Sequence, residues 1–175
     1  RGGLAWGERS CWLTQGSRMG CRVVLVLMSS FSAIHAFQQH ATLVDYPGRL
    51  AALMFTRGCN FRCGFCHNVE LLSGGGKNYT WEELEEIIQR FKRQWVKAVV
   101  ISGGEPTIQP ALPETIDCFR RHGFAVKLDT NGSSPEILER LLPHLDYVAM
   151  DIKRGLVHYP DLVHYRHTDR IAASI

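Results

Sequence analysis

The chain has 175 residues, 45% hydrophobic and 21% charged, the proportions of one globular domain and not of a disordered tail or a collagen-like repeat. The net charge of +3 is carried entirely by Arg1, Arg9, Arg18 and Arg22 against Glu8, leaving 16 basic and 16 acidic residues after position 22 and no basic stripe for nucleic acid. The longest apolar run, Val23 to Met28, is far shorter than the roughly 20 residues of a membrane-spanning helix, so no membrane partner is expected.

Residues 1 to 36 hold glycines at 2, 3, 7, 16 and 20 and two tryptophans, with no sustained period of 2 or 3.6. The expectation is a disordered or artefactual extension outside the fold, with the folded domain spanning 37 to 175. Arg18 and Arg22 before Val23 to Met28 give a weak signal-peptide pattern, but the apolar region is short and serines follow it. Met28 as the natural start is the simpler expectation, and the intact mass of the native protein checks it.

From residue 45 the chain becomes regular. Asp45-Tyr46-Pro47-Gly48 reads as a turn. Leu50 to Thr56 is an apolar run of strand length. Thr80 with Glu83 forms a capping box, and Trp81, Leu84, Ile87, Ile88 and Phe91 follow at helical spacing. Ala98 to Ile101 is a second strand, and Leu112 to His122, closed by Gly123, is a helix with Ile116 and Phe119 inward. Ala125 to Leu128 is a third strand. Ser134 as cap and Pro135 at the first position open a helix with Ile137, Leu138, Leu141 and Leu142 on its apolar face, and Tyr147 to Met150 is the fourth strand.

Strands alternating with helices predict successive βαβ units and a parallel sheet. Each strand is followed by a polar cluster: Cys59 to Cys66, then Ser102-Gly103-Gly104-Glu105-Pro106, then Asp129-Thr130-Asn131-Gly132, then Asp151-Ile152-Lys153. The carboxyl ends of parallel strands are where α/β folds build their sites, whether open or curled into a barrel. Four loops at one edge therefore predict one shared site.

Cys59, Cys63 and Cys66 stand at C-x3-C-x2-C on a loop bent by Gly58 and Gly64. Three crowded thiols ask for a soft metal, not for disulfides. A closed zinc site needs four ligands, and His67, adjacent to Cys66, is poorly placed to be the fourth. Three thiolates on a four-iron cluster leave one iron open to a ligand. A ferredoxin would need a fourth cysteine, and Cys118 reads as a core residue of its helix.

The three-cysteine motif with Phe65 before its last cysteine, followed in order by Gly103-Gly104-Glu105-Pro106, Asp129-Thr130-Asn131-Gly132 and Asp151-Ile152-Lys153, resembles the radical S-adenosylmethionine superfamily. Asp45-Tyr46-Pro47-Gly48, Cys66-His67-Asn68 and Lys127 to Gly132 are similar to the activating proteins of anaerobic ribonucleoside-triphosphate reductase, within the glycyl-radical activases. The resemblance spans about residues 37 to 160. It implies an incomplete TIM-type βα barrel of six units, cut here after about four, and a cytoplasmic enzyme. It implies a [4Fe-4S] cluster on Cys59, Cys63 and Cys66, with S-adenosylmethionine chelating the free iron. Gly103, Gly104 and Glu105 would then meet the methionyl amine, and Phe65 and His67 would lie along the adenine. Asp129, Thr130, Asp151 and Lys153 would surround the methionyl carboxylate, the ribose and a monovalent cation near Asp129 and Asp151. Asn131 and Gly132 are assigned only to the shape of the turn. The implied partners are a flavodoxin-type electron donor and a glycyl-radical enzyme, anaerobic ribonucleoside-triphosphate reductase, whose glycine loses a hydrogen to a radical derived from the cofactor.

Two other readings stay open from sequence. A radical enzyme acting on a small molecule, such as a deazaguanine-pathway synthase, would share the cluster. A non-catalytic zinc or iron–sulfur module would make Glu105, Asp129 and Asp151 dispensable for ligand binding. His158, His164 and His167 are too irregularly spaced to predict a second metal site.

Overall fold

A computed structural model describes residues 29 to 175, so the readings of residues 1 to 28 lie outside the described residues. The chain runs β1 (Ala36–Phe37), β2 (Ala51–Thr56), α1 (Val69–Leu72), α2 (Trp81–Arg93), β3 (Ala98–Gly103), α3 (Leu112–Arg121), β4 (Ala125–Thr130), α4 (Pro135–Leu141), β5 (Tyr147–Met150), α5 (Tyr159–Leu162) and α6 (Thr168–Ser174). The sheet order is β1-β2-β3-β4-β5. Strands β2 to β5 are mutually parallel, with Met54 beside Ile101 and Leu128 beside Val148. Among the described residues no helix is long and apolar enough to cross a membrane.

The two faces of the sheet are sorted by the period of two along each strand. Ala52, Met54, Val99, Ile101, Val126 and Leu128 point to the helical layer, where Leu84, Ile87, Ile88 and Phe91 of α2 and Leu112, Ile116 and Phe119 of α3 are buried against them. Each of the larger side chains among them contributes about 1.5 to 3 kcal/mol. The opposite face, from Ala51, Leu53, Ala98, Val100 and Ala125, is covered by Tyr46 of the turn that precedes β2. The start of α2 is fixed reciprocally: Glu83 N–H donates to the Thr80 hydroxyl at 3.3 Å and Thr80 N–H donates to the Glu83 carboxylate at 3.0 Å. Ser134 occupies the equivalent place before α4, but its hydroxyl makes no capping hydrogen bond.

Two expectations are corrected. The boundary drawn at residue 36 falls inside the folded chain: Ala33 and Ile34 are buried in the helical-layer core, Ala33 N–H donates to the Thr115 hydroxyl at 2.9 Å, and β1 pairs antiparallel with β2. A two-residue strand and a short buried stretch carry no periodicity, so nothing in the local pattern marked them. The expected strands at 98 and 125 also run two residues further, to Gly103 and Thr130, so the glycine pair begins and the Asp129-Thr130 pair ends within regular sheet.

Candidate metal and cofactor site

All the candidate residues named from sequence line one cavity of about 400 Å³ at the carboxyl edge of β2 to β5. Cys59, Cys63 and Cys66 come from the loop after β2, Gly103 and Gly104 from the end of β3, Asp129 and Thr130 from the end of β4, and Asp151 and Lys153 from the segment after β5. Phe65, half exposed, and His67, exposed, stand at the rim.

The cysteine loop is held at three places. Gly58, in the left-handed region at φ 72°, donates its N–H to Leu71 O at 2.9 Å, so α1 closes the loop behind the thiols. Phe61 is buried with Tyr159, Val163, Tyr165 and Ile171, its ring meeting Tyr159 edge-on at 5.9 Å, and Arg62 N–H donates to Val163 O at 2.9 Å. The segment from α5 to α6 therefore braces the loop from below. At the far end, Asn68 donates from its side-chain amide to Gly103 O at 3.4 Å.

The glycine pair is required by close approach. A Cβ on Gly103, which sits at φ 114°, would lie 2.4 Å from Thr56 O, and one on Gly104 would lie 1.8 Å from Gly58 O. Gly104 N–H donates to Thr56 O at 2.9 Å and Glu105 N–H to Gly58 O at 2.8 Å, so the loop after β3 is sewn to the loop that carries the cysteines.

Glu105 has no exposed surface. One of its oxygens accepts from Thr107 N–H at 3.0 Å, the Thr107 hydroxyl at 2.6 Å and the Thr130 hydroxyl at 2.7 Å, and the other accepts from Asn131 N–H at 2.7 Å. The first task of this carboxylate is thus to join two loops, which the expectation of a direct partner for the methionyl amine did not include. Burial pushes its carboxyl up, against the pull of these hydrogen bonds.

Burial also pushes up the Cys59 thiol, and the neighbouring Glu105, Cys63 and Cys66 push it the same way. Burial raises Cys63 too, opposed by Lys153. Three thiols lining one cavity repel as thiolates unless a cationic centre lies among them, so the donor set fits a soft metal or cluster. Cys118 supplies no fourth ligand: it is buried in the helical layer, beside a Glu85–His122 pair at 2.7 Å. Cys59, Cys63 and Cys66 would hold three irons of a four-iron cluster, and the fourth would be open to S-adenosylmethionine.

The carboxylates each have an ammonium partner. Lys153 Nζ lies 2.6 Å from Asp151 and Lys127 Nζ lies 2.8 Å from Asp129. Burial raises the Asp129 carboxyl, while the Lys127 ammonium beside it lowers it. Lys153 N–H donates to the Tyr159 hydroxyl at 3.0 Å, so the brace under the cysteines also positions this lysine.

Sequence reasoning did not assign Phe61, Asn68 or Lys127 a place at the site, and it limited Asn131 to the turn. The Asn131 side-chain amide donates to Asn60 at 2.9 Å and to the Cys59 sulfur at 3.8 Å. Only its position directly after Asp129-Thr130 could have signalled this.

A family model for the radical SAM superfamily matches residues 53–172. The chain is 39% identical over 126 residues to a Methanocaldococcus jannaschii protein named as a glycyl-radical enzyme activating enzyme, covering 70% of this chain and 51% of that one. It is 36% identical over 125 residues to the pyruvate formate-lyase-activating enzyme of Clostridium pasteurianum, covering 69% and 52%. The chain thus spans about half the length of these curated relatives. Its fold is similar to that of the crystal structure of QueE from Escherichia coli, at a TM-score of 0.51 and 20% identity over 71% of this chain and 72% of that one. The parallel sheet is accordingly a partial TIM-like barrel, and the family implies a [4Fe-4S] cluster and S-adenosylmethionine for the three-thiol cavity. The chain belongs to the radical SAM superfamily.

Proposed function

We propose that this chain is the core of a radical S-adenosylmethionine activating enzyme that generates a glycyl radical on a partner enzyme. The carrying observation is the convergence of three unpaired thiols, a glycine floor and two lysine-paired carboxylates on one cavity, in a chain whose relatives are named for glycyl-radical activation. Bound together, a reduced cluster and S-adenosylmethionine supply one-electron cleavage of the sulfonium bond and so an oxidant for an unactivated C–H bond.

The residues of this chain bind, orient and exclude water. Cys59, Cys63 and Cys66 hold the cluster. The Gly103-Gly104 main chain, which no side chain obstructs, faces the methionyl amine, with the Glu105 charge behind it. Asp129, Thr130, Asp151 and Lys153 hold the polar groups of the methionine and ribose, and Phe65 and His67 cover the adenine. The thiols suit a reducing, cytoplasmic compartment with a flavodoxin-type donor.

The partner we infer is an anaerobic ribonucleoside-triphosphate reductase, on the Asp45 to Gly48 turn and the Lys127 to Gly132 run. The test incubates the reconstituted, reduced protein and S-adenosylmethionine with such a reductase and, separately, with pyruvate formate-lyase. A glycyl-radical resonance on the reductase alone supports the assignment. A signal on the lyase alone moves the partner, and cofactor cleavage that follows a small molecule in place of either protein overturns the activase reading.

A further inference from the structure

Lys127 is two residues before Asp129 on β4, so both side chains leave the same face of the sheet, the one covered by Tyr46. An ammonium is unexpected there: Lys127 is only 8% exposed, and a buried cation without partners costs several kcal/mol. Its surroundings supply the partners. Nζ donates to the Asp45 carbonyl at 2.6 Å, lies 2.8 Å from the Asp129 carboxylate and stands 5.8 Å from the centre of the Tyr147 ring. A carbonyl oxygen and a carboxylate oxygen are the hard ligands that an inorganic cation takes. At Asp151, Lys153 already provides the positive charge, and the third carboxylate of the cavity, Glu105, is taken up by four hydrogen bonds from Thr107, Thr130 and Asn131. Each aspartate of the cavity thus has its own ammonium partner.

We propose that Lys127 is the resident counter-ion of Asp129: its ammonium takes the place of an inorganic monovalent cation, frees the cofactor cavity from dependence on potassium or sodium, and ties the Asp45 to Gly48 turn to the end of β4. The inference rests on the reading of the cavity as an S-adenosylmethionine site.

The test measures equilibrium binding of S-adenosylmethionine to the full chain, with its cluster reconstituted, in potassium, sodium or tetramethylammonium chloride at one ionic strength. Tetramethylammonium is too bulky to enter a carboxylate site. The native protein is expected to bind with the same affinity in all three salts, within about twofold. Lys127→Met is expected to bind about tenfold more weakly in tetramethylammonium and to recover in potassium. Lys127→Gln, which keeps a donor for the Asp45 carbonyl but no charge, should follow Lys127→Met, and it stands in if the methionine variant does not fold. In the cluster-free chain, potassium in place of tetramethylammonium should raise the unfolding midpoint of either variant and leave the native midpoint unchanged. A native affinity that falls tenfold in tetramethylammonium overturns the proposal, as do neutral variants that bind equally in all salts. Absence of binding in every salt by a protein with an intact cluster overturns the cofactor-site reading and this inference together.

Discussion

The Thr130 hydroxyl donates at 2.7 Å to the fully buried carboxylate of Glu105, so the end of β4 is fastened to the loop that follows β3. Burial raises Glu105 above its ordinary value of 4.5. An acid raised in the folded state takes up a proton on folding, and stability falls as pH rises from the unfolded value through the folded one. Glu105→Gln removes that uptake. Its urea midpoint should therefore drop less than the native one between about pH 5 and about pH 7.5. Parallel curves would place the raised carboxyl elsewhere, with Asp129 the next group shifted the same way.

The same carboxylate shows what the sequence made legible and what it did not. Local signals sufficed for the helices with strong periods and for the four parallel strands, because Leu84, Ile88 and Phe91 repeat at the spacing that one buried helix face demands and the strands are short apolar runs such as Ala98 to Ile101. The strand-end motifs they marked line one cavity. Such signals could not show that Glu105 spends its hydrogen bonds on Thr107, Thr130 and Asn131, because these are contacts between loops up to 26 residues apart. Residues 31 to 37 were hidden for a related reason: Ala33 and Ile34 are buried by long-range packing alone. Lys127 was read as part of a motif, and only the register of β4 reveals that its charge faces Asp45 and Asp129.

Asn131 donates towards the sulfur of Cys59 at 3.8 Å. Hydrogen bonds to cluster sulfurs stabilise the reduced, more negative state and raise the potential. Asn131→Ala should lower the midpoint potential of the reconstituted cluster by on the order of tens of millivolts. A redox titration followed by electron paramagnetic resonance checks this, and an unchanged midpoint would confine Asn131 to shaping its turn.

A methyl group at position 104 would collide with Gly58 O at 1.8 Å, whereas one at position 64 meets nothing within 4 Å. Gly104→Ala should cost more than about 2 kcal/mol in urea unfolding and Gly64→Ala less than about 0.5 kcal/mol. Equal costs would mean that the sewn contact between the two loops is absent.

Phe61 is 2% exposed and packs between Tyr159 and Tyr165, at ring-centre distances of 5.9 and 4.8 Å. Phe61→Ala should cost about 3 to 5 kcal/mol and reduce the iron retained after reconstitution. Tyr159→Phe removes only the acceptor for Lys153 N–H and should cost about 1 kcal/mol, with the iron content kept. Normal iron content in Phe61→Ala would show that the segment from α5 to α6 does not brace the cysteine loop.

The central claim, an iron left open to S-adenosylmethionine beside Asp151, is tested most directly by electron paramagnetic resonance of the reconstituted, dithionite-reduced chain with and without the cofactor. The account predicts a reduced [4Fe-4S] signal that changes when S-adenosylmethionine is added, and an Asp151→Ala variant that keeps the signal while needing about tenfold more cofactor to change it. A protein that takes up zinc instead, or a cluster whose signal is the same with and without the cofactor, would contradict it.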